Sequence, residues 1–145
     1  MPYKDLHSEP FDNSTIAKLE IFEDYAQAWI PTFVMQAREE IHIFDFFAGT
    51  GYDKLGVKGS PIRILEKIRG QIGNIFSKQT NVIVHFNEFQ PNKSKQEKFD
   101  LLKESCSEYL LENKDVDRAI TLKLYNQPCE ELFPQLLNKI NTLLC

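Results

Sequence analysis

The sequence predicts an α/β fold built on a small parallel sheet, and three observations carry that expectation. Short runs rich in Ile, Val and Phe alternate with stretches whose apolar residues recur at three- and four-residue steps, so the hydrophobic period switches repeatedly between strand and helix. Each strand-like run is separated from the next by a helical stretch, which calls for crossover connections and parallel strands. The first two runs are apolar at both alternating sets of positions, as in strands covered on both faces.

The elements follow in chain order. A first helix starts after Asp12, Asn13, Ser14 and Thr15, all residues that favour capping, and carries Ile16, Leu19, Phe22, Ala26, Trp29 and Phe33 on one side. Pro31 is expected to bend or end it. Residues 41–47, IHIFDFF, form the first strand, which breaks on Gly49 and Gly51. In Gly59-Ser60-Pro61, serine can cap and proline can take the first helical position, and Ile62, Leu65, Ile68, Ile72 and Phe76 then make one helical face. The second strand spans residues 81–89. After a turn at residues 91–94, a third helix carries Phe99, Leu102, Cys106 and Tyr109.

The third strand, residues 119–126, alternates Ile120, Leu122 and Leu124 with Thr121, Lys123 and Tyr125, so it reads as an edge strand with one wetter face. Pro128, Glu130 and Glu131 open a last helix with a stripe of Leu132, Leu136, Ile140 and Leu143 or Leu144. If every unit winds the same way, the strand order is 3-2-1, half of a doubly wound sheet, with the first strand as its other edge. No repeat or linker interrupts residues 1–145, which read as a single domain.

Composition excludes some classes of function. With 42% hydrophobic and 26% charged residues the chain falls in the soluble globular range, and no apolar run approaches a bilayer span. The N-terminal MPYKDLHSEPF has neither a basic nor an apolar signal region, so a cytoplasmic location is expected. A net charge of −4 disfavours general binding to phosphate backbones, and Lys93, Lys95 and Lys98 read as a solvated helix entrance. Cys106, Cys129 and Cys145 have no C-x-x-C spacing and read as free thiols. No ligand spacing points to a metal, and His42 and His85 read as cross-sheet neighbours satisfied within the fold.

Ligands of doubly wound sheets sit outside the carboxyl ends of the strands, closest to the turn after the first strand. Gly49 and Gly51 occupy that turn, where glycine allows positive φ and a close backbone approach. Asp45 lies inside an apolar strand and needs partners, either loop amides or a ligand ammonium group. Glu88 closes the second strand, where a carboxylate, an acceptor only, suits the two hydroxyls of a ribose. A nicotinamide fingerprint fits poorly because the third glycine is missing and the helix waits until Ser60. The G-K-[ST] of a P-loop is absent.

A strand aspartate, F-A-G-x-G and an acid ending the next strand together resemble S-adenosylmethionine-dependent methyltransferases. More specifically, STIAKLEIFEDYAQAWIPTF, IHIFDFFAGTGYD and KGSPIRILEKI resemble the three-Cys-motif partner protein (TcmP) family, over about residues 11–126. The resemblance implies a partial Rossmann-like, methyltransferase-type sheet with helices on its faces and S-adenosylmethionine as cofactor. Asp45, Ala48, Gly49 and Gly51 would surround its methionine part, Glu88 would take the ribose and Asn126 would approach the adenine. Members commonly have proline where this chain has Thr50, and an acid where it has Asn126.

Methyltransferases of this type place substrate-facing residues after a fourth strand, so the expectation here is a truncated cofactor half with no catalytic residue. The resemblance also implies a three-Cys-motif protein as companion. The alternative reading is a non-enzymatic interaction module whose open sheet edge pairs with another chain, most simply as a homodimer.

Overall fold

The computed structural model describes residues 10–36, 39–89 and 97–139, with the backbone alone at residues 97 and 137–139. The expectations at Lys93, Lys95, the 91–94 turn, Ile140, Leu143, Leu144 and Cys145 lie outside these residues. The element order is α1 Asn13–Met35, β1 Glu40–Asp45, α2 Ser60–Arg69, α3 Ile72–Lys78, β2 Asn81–Asn87, α4 Glu97–Glu112, α5 Lys114–Ala119, β3 Ile120–Tyr125 and α6 Cys129–Lys139. Both strand pairs are parallel and the sheet order is β1-β2-β3. Read from the other edge, this is the expected 3-2-1.

Register assigns every strand residue to a face. Ile41 pairs with Val82 and Ile43 with Val84, and Val82, Val84 and Phe86 pair onward with Ile120, Leu122 and Leu124. This apolar face meets Ile62, Leu65 and Ile68 of α2, Leu102 and Cys106 of α4 and Val116 of α5 in one core, backed by Ala26, Ile30 and Val34 of α1. Fully burying an aliphatic side chain of this kind stabilises by about 1.5–3 kcal/mol relative to leaving it exposed, so this layer is the main stabilising element. The opposite face presents His42, Phe44, His85 and Tyr125 as a stacked row of rings. There, Phe133 of α6 sits edge-on to Phe46 with centroids 5.7 Å apart, so α6 lies across the sheet from the layer of α2 and α4.

Several local expectations change in the structure. Asp12 caps α1 by accepting a hydrogen bond from Thr15 N at 2.7 Å, so the helix begins at Asn13, inside the expected capping cluster instead of after it. Pro31 does not end the helix, which continues to Met35 while Thr32 Oγ1 donates to Ala28 O at 3.0 Å. The buried line of α1 is Ala26, Ile30 and Val34, with Phe22, Trp29 and Phe33 half-buried beside it.

The expected single helix after Ser60 is two. It stops at Gly70, and the restart at Ile72 resets the helical phase, burying Ile75 and leaving Phe76 49% exposed. Short α5, carrying buried Val116 and Ala119, was not visible in the periodicity, since six residues are too few to display it. Ala119 therefore ends a helix instead of starting a strand. Among the described residues no helix is long and apolar enough to cross a membrane.

The delay between Gly51 and Ser60 also has a structure. Tyr52 bridges Lys58 in antiparallel fashion, and Gly59 N donates to Gly51 O at 2.6 Å, which closes a small loop. Buried Asp53 organises it by accepting hydrogen bonds from the amides of Phe11, Leu55 and Val57, each at 2.8 Å. Burial alone would raise the pKa of this carboxyl, but these amides, with Gly56, outweigh it and hold it below the ordinary carboxylate value.

A depressed folded-state pKa contributes stability that is present above the unfolded value and lost as pH falls through the folded one. Asp53→Ala should therefore destabilise the fold by about 3 kcal/mol, since buried amides lose a charged acceptor. In urea unfolding, the gap between wild type and variant should be widest near neutral pH and should narrow on acidification below the ordinary carboxylate range. A constant gap from neutral pH to strong acid would remove the ionised carboxylate from this role.

Candidate functional site

The carboxyl ends of β1 and β2 are joined beyond the strands themselves. Parallel pairing ends at Asp45 opposite Phe86, and the ladder is continued by Ala48 N donating to Asn87 O at 3.0 Å. Gly49 N then donates to Glu88 Oε2 at 2.8 Å, with Gly49 at φ 76°. The glycine turn and the acid after the second strand thus meet at one place.

Asp45 lies on the helix-packed face of β1, at its last position, below the start of α2. Its carboxylate accepts a hydrogen bond from Ser60 Oγ and another from Phe47 N at 3.1 Å. Ser60 does not cap α2: the cap residue is Gly59, without a side-chain bond, and Pro61 occupies the first turn. The hydroxyl goes to the buried carboxylate because its charge makes it the stronger acceptor. Burial pushes the Asp45 carboxyl up, and the Ser60 and Phe47 bonds offset that only in part.

Burial likewise raises Glu88, opposed by the Gly49 amide and by Lys98 and reinforced by Asp45. That last effect places the two carboxyls within one electrostatic neighbourhood. The arrangement therefore offers two incompletely solvated carboxylates, acceptors only, flanking a turn of positive φ.

Gly51 has a different reason for being glycine from the one its spacing implied. Its φ is 95°, and a Cβ there would come within 2.7 Å of Ser105 Cβ on α4. The space it leaves is filled by that helix, and Ser105 Oγ donates to Thr50 O at 2.9 Å. Of the residues expected around the methionine part, Gly49 and Ala48 are bound to the end of β2, Asp45 supports the turn from below, and Gly51 seats α4. Asn126 follows β3, one residue beyond Tyr125, whose carbonyl accepts the Glu88 amide at 3.1 Å.

Sequence reasoning missed Asn87, which ties the three strand ends together. It is 2% exposed; its Nδ2 donates to Phe46 O at 3.2 Å and Gln127 O at 2.9 Å, and its Oδ1 accepts from Gln127 N at 3.1 Å. The signal was an amide residue directly before the acid in HFNEF, at a position where the strand is still buried. Away from this locus, an open depression of about 470 Å³ is lined by Leu110, Lys114, Asp117 and Arg118, at the opposite end of the sheet, where β3 begins. Among the described residues no group of His, Cys, Asp and Glu could hold a metal ion.

No family model, no curated protein and no solved structure matches the chain.

Gly51→Ala should destabilise by about 2 kcal/mol or more, combining a left-handed φ with the overlap at Ser105. Pairing it with Ser105→Gly should recover the overlap part in a double-mutant cycle of chemical denaturation. Strict additivity of the two changes would show that the clash is not what excludes a side chain at position 51.

Proposed function

We propose that the protein is a methyltransferase-like, S-adenosylmethionine-binding protein of the three-Cys-motif partner type, its sheet being the cofactor half of a Rossmann-like fold. The observation that carries this reading is the Gly49 N to Glu88 Oε2 hydrogen bond of 2.8 Å, at the carboxyl ends of two parallel strands. Ligands of doubly wound sheets bind there. Glu88 suits a ribose because its carboxyl is raised by burial, so two hydroxyl donors would offset the cost of its ionised form.

Asp45, Ala48 and Gly49 border the region assigned to the methionine part, with Gly51 shaping the turn from behind, and Asn126 stands beside the region assigned to the adenine. The group itself would supply an activated methyl for in-line displacement, to which a protein contributes mainly positioning. No residue of this chain is assigned a catalytic role. A three-Cys-motif protein as companion belongs to the same proposal and rests on the sequence resemblance.

Calorimetric titration with S-adenosylmethionine or S-adenosylhomocysteine should detect binding, and Glu88→Ala should weaken it roughly ten- to a hundredfold, the worth of hydrogen bonds to a charged group. No heat with either ligand would end the cofactor reading. Binding left unchanged by the substitution would remove Glu88 from the ribose position.

A second reading is favoured by one observation: β1 forms an edge of the sheet, and among the described residues only β2 pairs with it. Its Ile41 and Ile43 are buried from the helix side, so the strand is rigidly presented for pairing. Two copies of a chain with net charge −4 repel each other, so a homodimer formed by antiparallel pairing of two β1 strands should tighten with added salt. Sedimentation across the micromolar range should show a monomer–dimer equilibrium displaced toward dimer by salt. A monomer at every concentration and ionic strength would exclude edge pairing between copies.

A further inference from the structure

The face of the sheet turned away from the main core carries a second constellation, independent of the cofactor reading. Glu40 on β1 bonds His42 Nε2, His42 Nδ1 lies 2.9 Å from His85 Nε2 on β2, and His85 Nδ1 lies 2.9 Å from the Tyr125 hydroxyl on β3. Four side chains from all three strands thus form one continuous hydrogen-bond chain. His42 and His85 are 8% and 4% exposed, whereas the side chain of Glu40 is 54% exposed, so the chain connects solvent at one edge with the interior row of rings.

Partners dictate proton positions. A carboxylate only accepts, so His42 donates from Nε2 to Glu40. Neutral His42 then accepts at Nδ1 from His85 Nε2–H, and neutral His85 accepts at Nδ1 from the Tyr125 hydroxyl. Every bond is made, and all donors point toward Glu40.

A second arrangement also satisfies every bond. With one added proton, cationic His42 donates from both nitrogens, to Glu40 and to His85 Nε2. His85 then carries its proton on Nδ1 and donates to the tyrosine oxygen, whose own hydrogen turns outward. A doubly protonated pair is excluded, because two N–H groups would face each other across 2.9 Å.

We propose that Glu40, His42, His85 and Tyr125 form a one-proton relay across the sheet, in which a single protonation reverses the His42–His85 and His85–Tyr125 bonds while His42 keeps donating to Glu40. The transfer balances bond by bond. The Tyr125 hydroxyl proton moves to His85 Nδ1, the His85 Nε2 proton moves to His42 Nδ1, and the tyrosine oxygen takes one proton from a hydronium ion, which is left as water. The product is an imidazolium at His42 beside the Glu40 carboxylate, with a neutral Tyr125.

The surroundings favour this location for the charge. Glu40 on β1 stabilises a cation at His42, whereas Lys123 on β3 opposes one at His85. From α6 the contact with this row is Phe133 against Phe46, and its first-turn acids Glu130 and Glu131 are exposed. Phe44 stacks on His85 with centroids 4.5 Å apart, walling the ring from water. Burial, with His42 and Lys123, pushes His85 down to about 4, and burial pushes the Tyr125 hydroxyl above its ordinary value, so the two remain neutral at the ends of the transfer.

His85 also sets where the chain fails. Its folded-state value lies below the ordinary 6.5, so the stability linked to its neutral form is present above 6.5 and lost as pH falls toward about 4. This loss amounts to roughly two orders of magnitude in the folding equilibrium. Tyr125 is the last residue of β3, at the carboxyl end of the sheet, where its backbone carbonyl accepts the amide of Glu88 at 3.1 Å.

Nitrogen-15 NMR of the imidazoles tests the relay in the unmodified protein. In the unprotonated arrangement both rings should carry their proton on Nε2, and in the singly protonated arrangement His42 should hold protons on both nitrogens while His85 keeps one, on Nδ1. Tyr125→Phe should leave the His85 tautomer following His42, since their shared bond alone demands it. His85 keeping its proton on Nε2 while His42 charges, or both rings becoming cations together, would overturn the relay.

Discussion

Parallel pairing of β1 with β2, in the register Glu40↔Asn81 to Asp45↔Phe86, is the constraint on which the remaining structure rests. It sets Ala48 beside Asn87 and Gly49 beside Glu88, so a backbone bond and a bond to a carboxylate hold the two strand ends together past the turn at Phe46 and Phe47. It also puts Phe44 opposite His85, with His42 and Ile83 one position behind. A slip of one residue would turn Ile41 and Ile43 out of the core and carry His42 into it. The apolar face and the polar row therefore enforce the same register from opposite sides.

The two faces solve different problems. On one, aliphatic residues pack against α2, α4 and α5, and stability comes from area removed from water. On the other, buried imidazoles would be costly if unpaired, and each finds a partner on the next strand. Ring stacking keeps that row closed to water, which makes its hydrogen bonds electrostatically stronger than they would be in solvent.

Three carboxylates near the strand ends show how environment separates like side chains. Asp53 is surrounded by amides that hold its charge, so it builds the loop. Asp45 and Glu88 have fewer donors than their burial demands, which leaves both raised, and Asp45 adds to the rise at Glu88. Unspent acceptor capacity sets this pair apart from Asp53, whose satisfied carboxylate serves the loop.

Strand positions and their parallel order were legible from residues 41–47, 81–89 and 119–126, because period and apolar content are properties of neighbouring residues. A capping cluster at residues 12–15 and the closeness of Gly49 to Glu88 were legible too, since turn chemistry and topology fix both. The tertiary structure alone decided that Ser60 serves Asp45 instead of its helix, that Gly51 makes room for Ser105, and that Glu40, His42, His85 and Tyr125 join in one chain. Each of these depends on which of several acceptors or spaces lies within about 3 Å. That is settled only when distant segments pack together, and no local pattern of residues encodes it.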